Sequence, residues 1–135
     1  MPVDLIRSPD LAATVPYAYA SVVTAGSLVF TAGACPLDAD GTIGPPDDVA
    51  GQAARVIDNL VTALAAAGAS LTDVAKTTVY VATADRADLT AAWSVVAAAF
   101  GDHDAPSTLL AVPVLGWPGQ LVEIEAVAAL SPAPG

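Results

Sequence analysis

The sequence predicts an α+β fold, in which one mixed β-sheet carries two helices packed on a single face. Three observations lead to this prediction: strand-like segments near both ends of the chain, two segments with helical spacing of apolar residues, and a strand-like segment between those two. A chain of 135 residues has the length of one domain. We therefore expect a single domain over residues 1–135, with residues 131–135 frayed.

The first two predicted strands lie before residue 35. The segments "YAYASVVT" and "LVFTAGA" are rich in aromatic and β-branched residues and are separated by "AGS". This arrangement is typical of a β-hairpin. The following "PLDADGTIGPPDD" is dense in Pro, Gly and Asp, which predicts a loop.

Apolar residues at spacings of three and four predict two amphipathic helices. Asp47 and Asp48 favour the start of the first helix through its macrodipole, and Gly68 favours its end. The second helix is predicted from about Asp85 to Phe100, with Gly101 ending it. The buried stripes are predicted to contain Val49, Ala53, Val56, Ile57, Leu60, Leu64 and Ala67 in the first helix, and Leu89, Trp93, Val96 and Phe100 in the second.

Three further strands are predicted from "DVAKTTVYVAT", "TLLAVPVL" and "QLVEIEAVAAL", the last two joined by "GWPG". The predicted order is strand, strand, helix, strand, helix, strand, strand. Two helices on one side of the sheet leave its other face uncovered, and such a face needs a partner. We therefore expect an oligomer.

The composition also indicates a covered surface and excludes some partners. Hydrophobic residues make up 55% of the chain and charged residues 13%, so we expect a partner chain to cover part of the apolar surface. Fourteen Asp and Glu against four Lys and Arg give a net charge of −10. This charge disfavours nucleic acid and anionic membrane surfaces, and we expect neither as a partner.

Cysteine usage and the N-terminal residues bear on the compartment. A single cysteine, Cys35, excludes an intrachain disulfide and suits a reducing compartment. The first ten residues show no basic segment followed by an apolar run, so no signal peptide is expected. The predicted location is cytoplasmic.

The last predicted strand carries two carboxylates on one face. Glu123 and Glu125 alternate with an aliphatic set that must face the helices, so both glutamates lie on the uncovered face. A carboxyl group partly desolvated by a neighbouring chain can serve as a general acid or base. The alternative is a solvated strand face with ordinary glutamates, which the spacing alone favours.

Four segments, in order and with matching spacing, resemble the RidA (YjgF/YER057c/UK114) family over nearly the whole chain. They are "VPYAYA", "LVFTAGACPLD", "QAARVIDNLVTALAAAGASLTDVAKTTVYV" and "LVEIEAVA". The resemblance implies a chorismate-mutase-like fold, a homotrimer and small-molecule ligand clefts between adjacent subunits. It implies hydrolysis of reactive enamines and imines, such as 2-aminoacrylate, and neither a metal nor an organic cofactor.

The resemblance also assigns roles to individual residues. Glu123 matches the acidic residue that positions or activates water, whereas Glu125 is expected to be structural or at the surface. Gly33 and the adjoining Ala34 match the turn where backbone groups approach the ligand, although the usual serine and glutamine of that turn are absent. The remaining predicted substrate-binding residues are Tyr17, Asn59, Ser107 and Thr108. For Asn59, a hydrogen bond that holds a loop is an equal alternative.

One departure from the family pattern concerns the substrate. The arginine that grips the substrate carboxylate in deaminating members is replaced here by Pro106, and the stretch around "LGWPG" is two residues longer. Proline cannot replace a bidentate charged contact, whose loss costs about 2–5 kcal/mol in a desolvated site. Lys76 is the one plausible substitute, and a solvated strand residue is the favoured alternative. A neutral or differently shaped substrate therefore fits better than a free α-imino acid.

Other candidate residues are weaker, and two functions remain open. Cys35 is expected to be a small buried thiol, and His103, alone in an acidic loop, is no metal site. Trp117 fits either a cleft wall or a packed turn. The hypotheses are a small-molecule hydrolase of the enamine or imine deaminase type and a non-catalytic ligand-binding or regulatory trimer with the same cleft. A ribonuclease is disfavoured by the charge of −10.

Overall fold

The computed structural model describes residues 2–132 and contains six strands and two α-helices within that range. The strands are β1 (Val3–Ile6), β2 (Ala20–Val23), β3 (Ser27–Phe30), β4 (Val74–Ala82), β5 (Ser107–Val112) and β6 (Val122–Leu130). The helices are α1 (Val49–Ala66) and α2 (Arg86–Phe100), and a 3₁₀ turn, Leu71–Asp73, precedes β4. Of the predicted frayed tail, residues 133–135 lie outside the described residues.

The main sheet has four strands in the order β3-β6-β4-β5. Strands β4 and β5 run parallel, whereas β6 is antiparallel to both β3 and β4. The sheet is therefore mixed, and the predicted fold class is confirmed. β4 and β6 lie at its centre, so residues on these strands have neighbours on both sides.

The predicted hairpin between the first two strands is wrong. β2 pairs antiparallel with β1, a strand that the sequence analysis missed, and β3 pairs antiparallel with β6. The local pattern identified strand-forming segments, but a long central strand offers β3 a better partner than its neighbour in sequence does. Gly26 permits this pairing, because a Cβ atom there would lie 1.6 Å from the carbonyl oxygen of Leu130.

Both helices begin and end where the sequence predicts. Asp48 caps α1 by accepting a hydrogen bond from the Gly51 amide at 2.8 Å, and Asp85 caps α2 by accepting one from the Ala87 amide at 2.9 Å. Gly68 follows α1 with a φ of +85°, a conformation that glycine adopts without strain. Neither helix in the described range is long and apolar enough to cross a membrane.

The two faces of the main sheet differ sharply. The aliphatic face of β6 packs on the helices in a common core, which includes Val122, Ile124, Ala126, Ala128, Val56, Leu60 and Leu64. On the opposite face Phe30 is 72% exposed, and Leu28 and Leu110 are also exposed. The predicted packing of both helices on one face is confirmed. On the other face, Val3 of β1 packs on Ala75 and Ala129 at one end, and the remainder lies open in the single chain.

Candidate functional site

Glu123 lies on the open face of the sheet, and two side chains hold one of its carboxylate oxygens. The strand register places it beside Tyr80 of β4. The Cys35 thiol donates a hydrogen bond to Glu123 Oε1 at 3.2 Å, and Gln120 Nε2 donates another at 3.3 Å. Among residues 2–132 no hydrogen bond engages Oε2. One oxygen is therefore fixed, and the other can serve an incoming molecule.

Gly33 provides the space beside the free oxygen. A Cβ atom at this position would lie 2.6 Å from Glu123 Oε2, closer than real side chains approach. The next residue fixes the turn, because the Ala34 amide donates to the carbonyl oxygen of Ile124 at 2.7 Å. The missing side chain at residue 33 is thus a steric requirement of the Glu123 position. We call Gly33, Cys35, Gln120 and Glu123 the Glu123 cluster.

Cys35 stays protonated in this setting. The pKa of its thiol is raised from 9.0 to about 11, mainly by burial and then by the hydrogen bond to Glu123 and the negative charge of that carboxylate. The nearby side chains of Gln120 and Trp117 lower this pKa and offset part of the rise. A neutral thiol is the form that can donate to a carboxylate, so the raised pKa and the hydrogen bond support each other.

Asn59 holds the loop that carries Cys35. From α1, its Nδ2 donates to the carbonyl oxygens of Cys35 and Leu37, both at 2.8 Å. These bonds match the loop-holding alternative for this residue. Asn59 thereby acts on the Glu123 cluster through the backbone of the loop.

Gln52 and Gln120 fix the chain on the other side of Glu123, and the sequence analysis missed both. The fully buried Gln52 donates to the carbonyl oxygens of Pro45 and Gly119 at 3.0 Å and accepts from the Leu121 amide at 2.8 Å. Gln120, also buried, accepts from the Trp117 amide at 3.2 Å. A sequence clue existed for Gln120: "WPGQ" fits a type II turn, with Pro118 second and Gly119 at a φ of +79°.

Glu125 has a different environment from Glu123, although both lie on the same strand face. The Tyr80 hydroxyl donates to Glu125 Oε1 at 2.6 Å. This bond, more than the burial and charge around it, raises the pKa of Tyr80. Glu125 therefore has a tyrosine partner within the sheet, as a structural role requires.

A second group of predicted residues lines a separate pocket, which we call the Tyr17 pocket. Its cavity, of about 430 Å³, is lined by Pro16, Tyr17, Trp93, Ser107, Thr108 and Leu109. Tyr17 packs edge-on against Trp93 with ring centroids 6.4 Å apart. The Ser107 hydroxyl accepts a hydrogen bond from Thr77 at 2.7 Å, so β4 fixes its position.

The position of the missing arginine lies at the entrance to β5. Pro106 is buried, and its carbonyl oxygen accepts a hydrogen bond from the Thr77 amide at 3.0 Å. Two cations lie near this region. Arg7 forms an ion pair with Asp104 and donates to the carbonyl oxygen of Val15, whereas the exposed Lys76 donates to Thr108 Oγ1 at 3.0 Å.

The Glu123 cluster and the Tyr17 pocket do not meet within one chain. Glu123 lies opposite Tyr80, and Thr108 lies opposite Thr78 on the far side of β4. With strands about 4.8 Å apart and a rise of about 3.3 Å per residue, Thr108 and Glu123 are roughly 12 Å apart in the sheet. The predicted site residues thus fall into two groups on different sides of β4.

The described residues offer no alternative metal centre. No group of three or more His, Cys, Asp or Glu side chains between residues 2 and 132 could hold a metal ion. The ring Nε2 of His103 lies 2.7 Å from the carbonyl oxygen of Val74, a contact that joins the α2–β5 loop to β4.

Fold and site together define a small α+β protein with an acidic cluster on an open sheet face. A family model described as endoribonuclease L-PSP matches residues 9–130. A RutC family protein of Pyrococcus abyssi is 35% identical over 111 residues, which cover 82% of this chain and 84% of that protein. The chain belongs to this family, also called the RidA or YjgF family, and the resemblance found in the sequence is confirmed.

Solved structures of relatives have the same fold. A Rid family protein of unknown function from Yersinia pestis aligns with a TM-score of 0.90 at 29% identity, covering 96% of this chain and 100% of its own. TdcF of Escherichia coli, solved with bound serine, aligns with a TM-score of 0.68 at 31% identity, covering 95% of this chain and 99% of its own.

Proposed function

We propose that this chain is a small-molecule hydrolase of the enamine and imine deaminase type, with Glu123 as its catalytic residue. The substrate is one that no arginine–carboxylate pair anchors. The observation that carries the proposal is the Glu123 cluster, where Oε1 is held at 3.2 and 3.3 Å and Gly33 leaves Oε2 accessible. A carboxylate held at one oxygen and free at the other is suited to orient a water molecule.

The reaction needs only water and a group that accepts and returns protons. An enamine first takes a proton from water on its carbon and loses one from its nitrogen, which gives an imine. Water then adds to the imine carbon, Glu123 accepts the proton that water loses, and the nitrogen gains a proton. The resulting carbinolamine expels ammonia and leaves a carbonyl group, so hydrolysis consumes one water for each ammonia released.

The complete site is proposed to lie between copies of the chain in a homotrimer. Two observations support this arrangement: the Glu123 cluster and the Tyr17 pocket are separated in one chain, and the open sheet face exposes Phe30 and Leu110. An adjacent copy could bring its Tyr17 pocket to the Glu123 cluster while covering this face. Light scattering should give three times the mass of a single chain, and a monomer at working concentration would contradict the arrangement.

Recognition of the substrate is proposed to rely on uncharged contacts. Pro106 supplies no cation, Arg7 is paired with Asp104, and Lys76 is exposed to solvent. Serine bound to TdcF supports small-molecule binding in this family, and the Tyr17 pocket offers hydroxyl and aromatic groups for such a ligand.

The free thiol of Cys35 suits a reducing compartment, and we place the activity in the cytoplasm.

The test compares ammonia release from two substrate types. Enzymatically generated 2-aminoacrylate carries a carboxylate, whereas a set of simple imines does not. We expect faster hydrolysis of the imines than in buffer, at least a 100-fold loss for Glu123→Gln, and no such loss for the matched Glu125→Gln. The proposal would be disproved if neither substrate type is hydrolysed faster than in buffer, under conditions where a relative with arginine at the position of Pro106 is active.

A second candidate is a non-catalytic ligand-binding or regulatory trimer with the same cleft. The replacement of arginine by Pro106 and the altered turn around Gly33 favour it, because both remove groups that act on the substrate in deaminating members. A metabolite that raises the melting temperature and is recovered unchanged would favour this candidate. Loss of turnover in Glu123→Gln with binding retained would favour the hydrolase.

The description of the matching family model raises ribonuclease activity as a further possibility. Electrostatics oppose it, because a net charge of −10 repels a phosphate backbone. Salt-sensitive cleavage of RNA by a nuclease-free preparation, lost in Glu123→Gln, would reverse this judgement.

A further inference from the structure

The loop between β5 and β6 forms an apolar cavity that neither hypothesis uses. It is a concavity of about 460 Å³ that is open to solvent, and its walls include Val114, Leu115, Trp117, Pro118 and Leu121. Val114 is 76% exposed and Trp117 is 49% exposed, although both are large apolar side chains. Exposed apolar groups around a concavity are typical of a binding site. We call this cavity the loop pocket.

The loop pocket adjoins the Glu123 cluster through two residues. Gln120 lines the cavity and also donates to Glu123 Oε1 at 3.3 Å. Leu121 lines it too, and its side chain shares the strand face of Glu123, two residues further along. Trp117 is joined to the cluster by the hydrogen bond that its backbone amide donates to Gln120 Oε1 at 3.2 Å. A ligand lying over Glu123 can therefore extend into the loop pocket.

The lining determines what chemistry the loop pocket accepts. Its residues include no charged side chain. The Gln120 amide has its oxygen bonded to the Trp117 backbone amide and its nitrogen bonded to Val122 and Glu123. A charged ligand group would find no opposite charge here and would lose its hydration. The Glu123 carboxylate nearby further opposes an anion.

We propose that the loop pocket is a substrate subsite that binds an uncharged alkyl or aryl group, while Glu123 acts on the adjacent carbon. The inference rests on the proposed function only in identifying the ligand as a substrate. It extends that function by naming the substrate class: imines or enamines with an apolar substituent of several carbons. Small polar imines leave the loop pocket unfilled and are the poorer substrates.

The test measures binding with stable probes and so does not depend on catalysis. The probes are acetamide, butyramide and hexanamide, together with acetate, butyrate and hexanoate, observed by ligand-detected NMR. We expect the affinity for the amides to rise up to about fourfold for each buried methylene, and each carboxylate to bind more weakly than its amide. Trp117→Ala should abolish the dependence on chain length.

Two further variants separate loss of the wall from loss of the fold. Val114→Ser removes apolar surface at an exposed position and should weaken hexanamide more than acetamide. Leu11→Ala is the matched control, because Leu11 is an apolar loop residue that is 50% exposed and lies outside the loop pocket. Its affinities should equal those of the unchanged chain.

The outcomes distinguish this inference from the proposed function. Three results would each contradict the subsite. Amide affinity could be independent of chain length, carboxylates could bind as tightly as amides, or Trp117→Ala could lower the affinities for acetamide and hexanamide equally. Chain-length dependence without hydrolysis of any imine would support the subsite and reject the hydrolase.

Discussion

The Glu123 cluster and the Tyr17 pocket differ in how firmly each is built. In the cluster, neighbouring side chains fix one carboxylate oxygen, and Asn59 and Gln52 hold the adjoining loops from α1. In the Tyr17 pocket, aromatic rings form an open wall, and Lys76, which donates to Thr108 in that wall, is exposed to solvent. Chemistry that depends on geometry belongs in the first region, and adaptable recognition belongs in the second.

The comparison is most easily broken at Gly33. In Gly33→Ala, the added Cβ would lie 2.6 Å from Glu123 Oε2, so the carboxylate must move. A displacement of about 1 Å at a reacting group typically lowers the rate about 100-fold, and we expect a loss of this order in imine hydrolysis assays. Gly44→Ala is the control, since a Cβ there comes no closer than 3.7 Å to a neighbour. Full activity in Gly33→Ala would remove Glu123 Oε2 from the mechanism.

Cys35 reports the electrostatics of the cluster directly. With its pKa raised from 9.0 to about 11, the thiolate fraction at pH 8 falls by about 100-fold, and alkylation by iodoacetamide slows accordingly. The alkylation rate should rise through pH 11 instead of pH 9. Because the chain has one cysteine, the adduct is unambiguous.

Glu123→Gln should lower the pH midpoint of Cys35 alkylation, because the negative carboxylate that accepts the thiol hydrogen bond and raises the pKa is lost. The sign for stability follows from the same shift. The folded chain holds the thiol proton more tightly, so this contribution to stability is present below pH 9 and is lost as the pH rises toward 11. An unchanged pH dependence of alkylation in Glu123→Gln would contradict an effect of Glu123 on the pKa of Cys35.

Gln52 tests whether the cluster depends on its support from α1. Gln52→Leu leaves two carbonyl oxygens and the Leu121 amide without their partner in a buried site, which should lower the free energy of unfolding by about 2–4 kcal/mol. Urea denaturation measures the change. Thr62→Val, at an exposed position of the same helix, should change it by less than about 0.5 kcal/mol.

The smallest effect is expected at Lys76, which donates to Thr108 in the wall of the Tyr17 pocket. Lys76→Met removes an exposed hydrogen bond to Thr108, and such surface contacts contribute little. Affinity for hexanoate should change by less than about threefold. A loss above tenfold would show that Lys76 replaces the missing arginine and that the substrate carries an anion.

The helices and the face of β6 were predictable because their causes are local. Asp48, Asp85 and Gly68 mark helix ends by their own chemistry, and the alternation around Glu123 fixes its face. Pairing of β3 with β6 was not predictable from "AGS", because the better partner lies about a hundred residues away. The roles of Gln120 and Gln52 were not predictable for a related reason, because they depend on carbonyl and carboxylate groups that only the fold brings close to them.

The exposed apolar face of the sheet limits which amino-acid substitutions leave this chain in solution. Copies that fail to cover Phe30, Leu28 and Leu110 present a surface that adheres to any similar surface, and mutual repulsion from a charge of −10 opposes this. Salt weakens that repulsion over distances beyond about 10 Å at 0.1 M. Substitutions that disrupt the proposed trimer should therefore yield precipitates in concentrated salt and dispersed chains in dilute buffer.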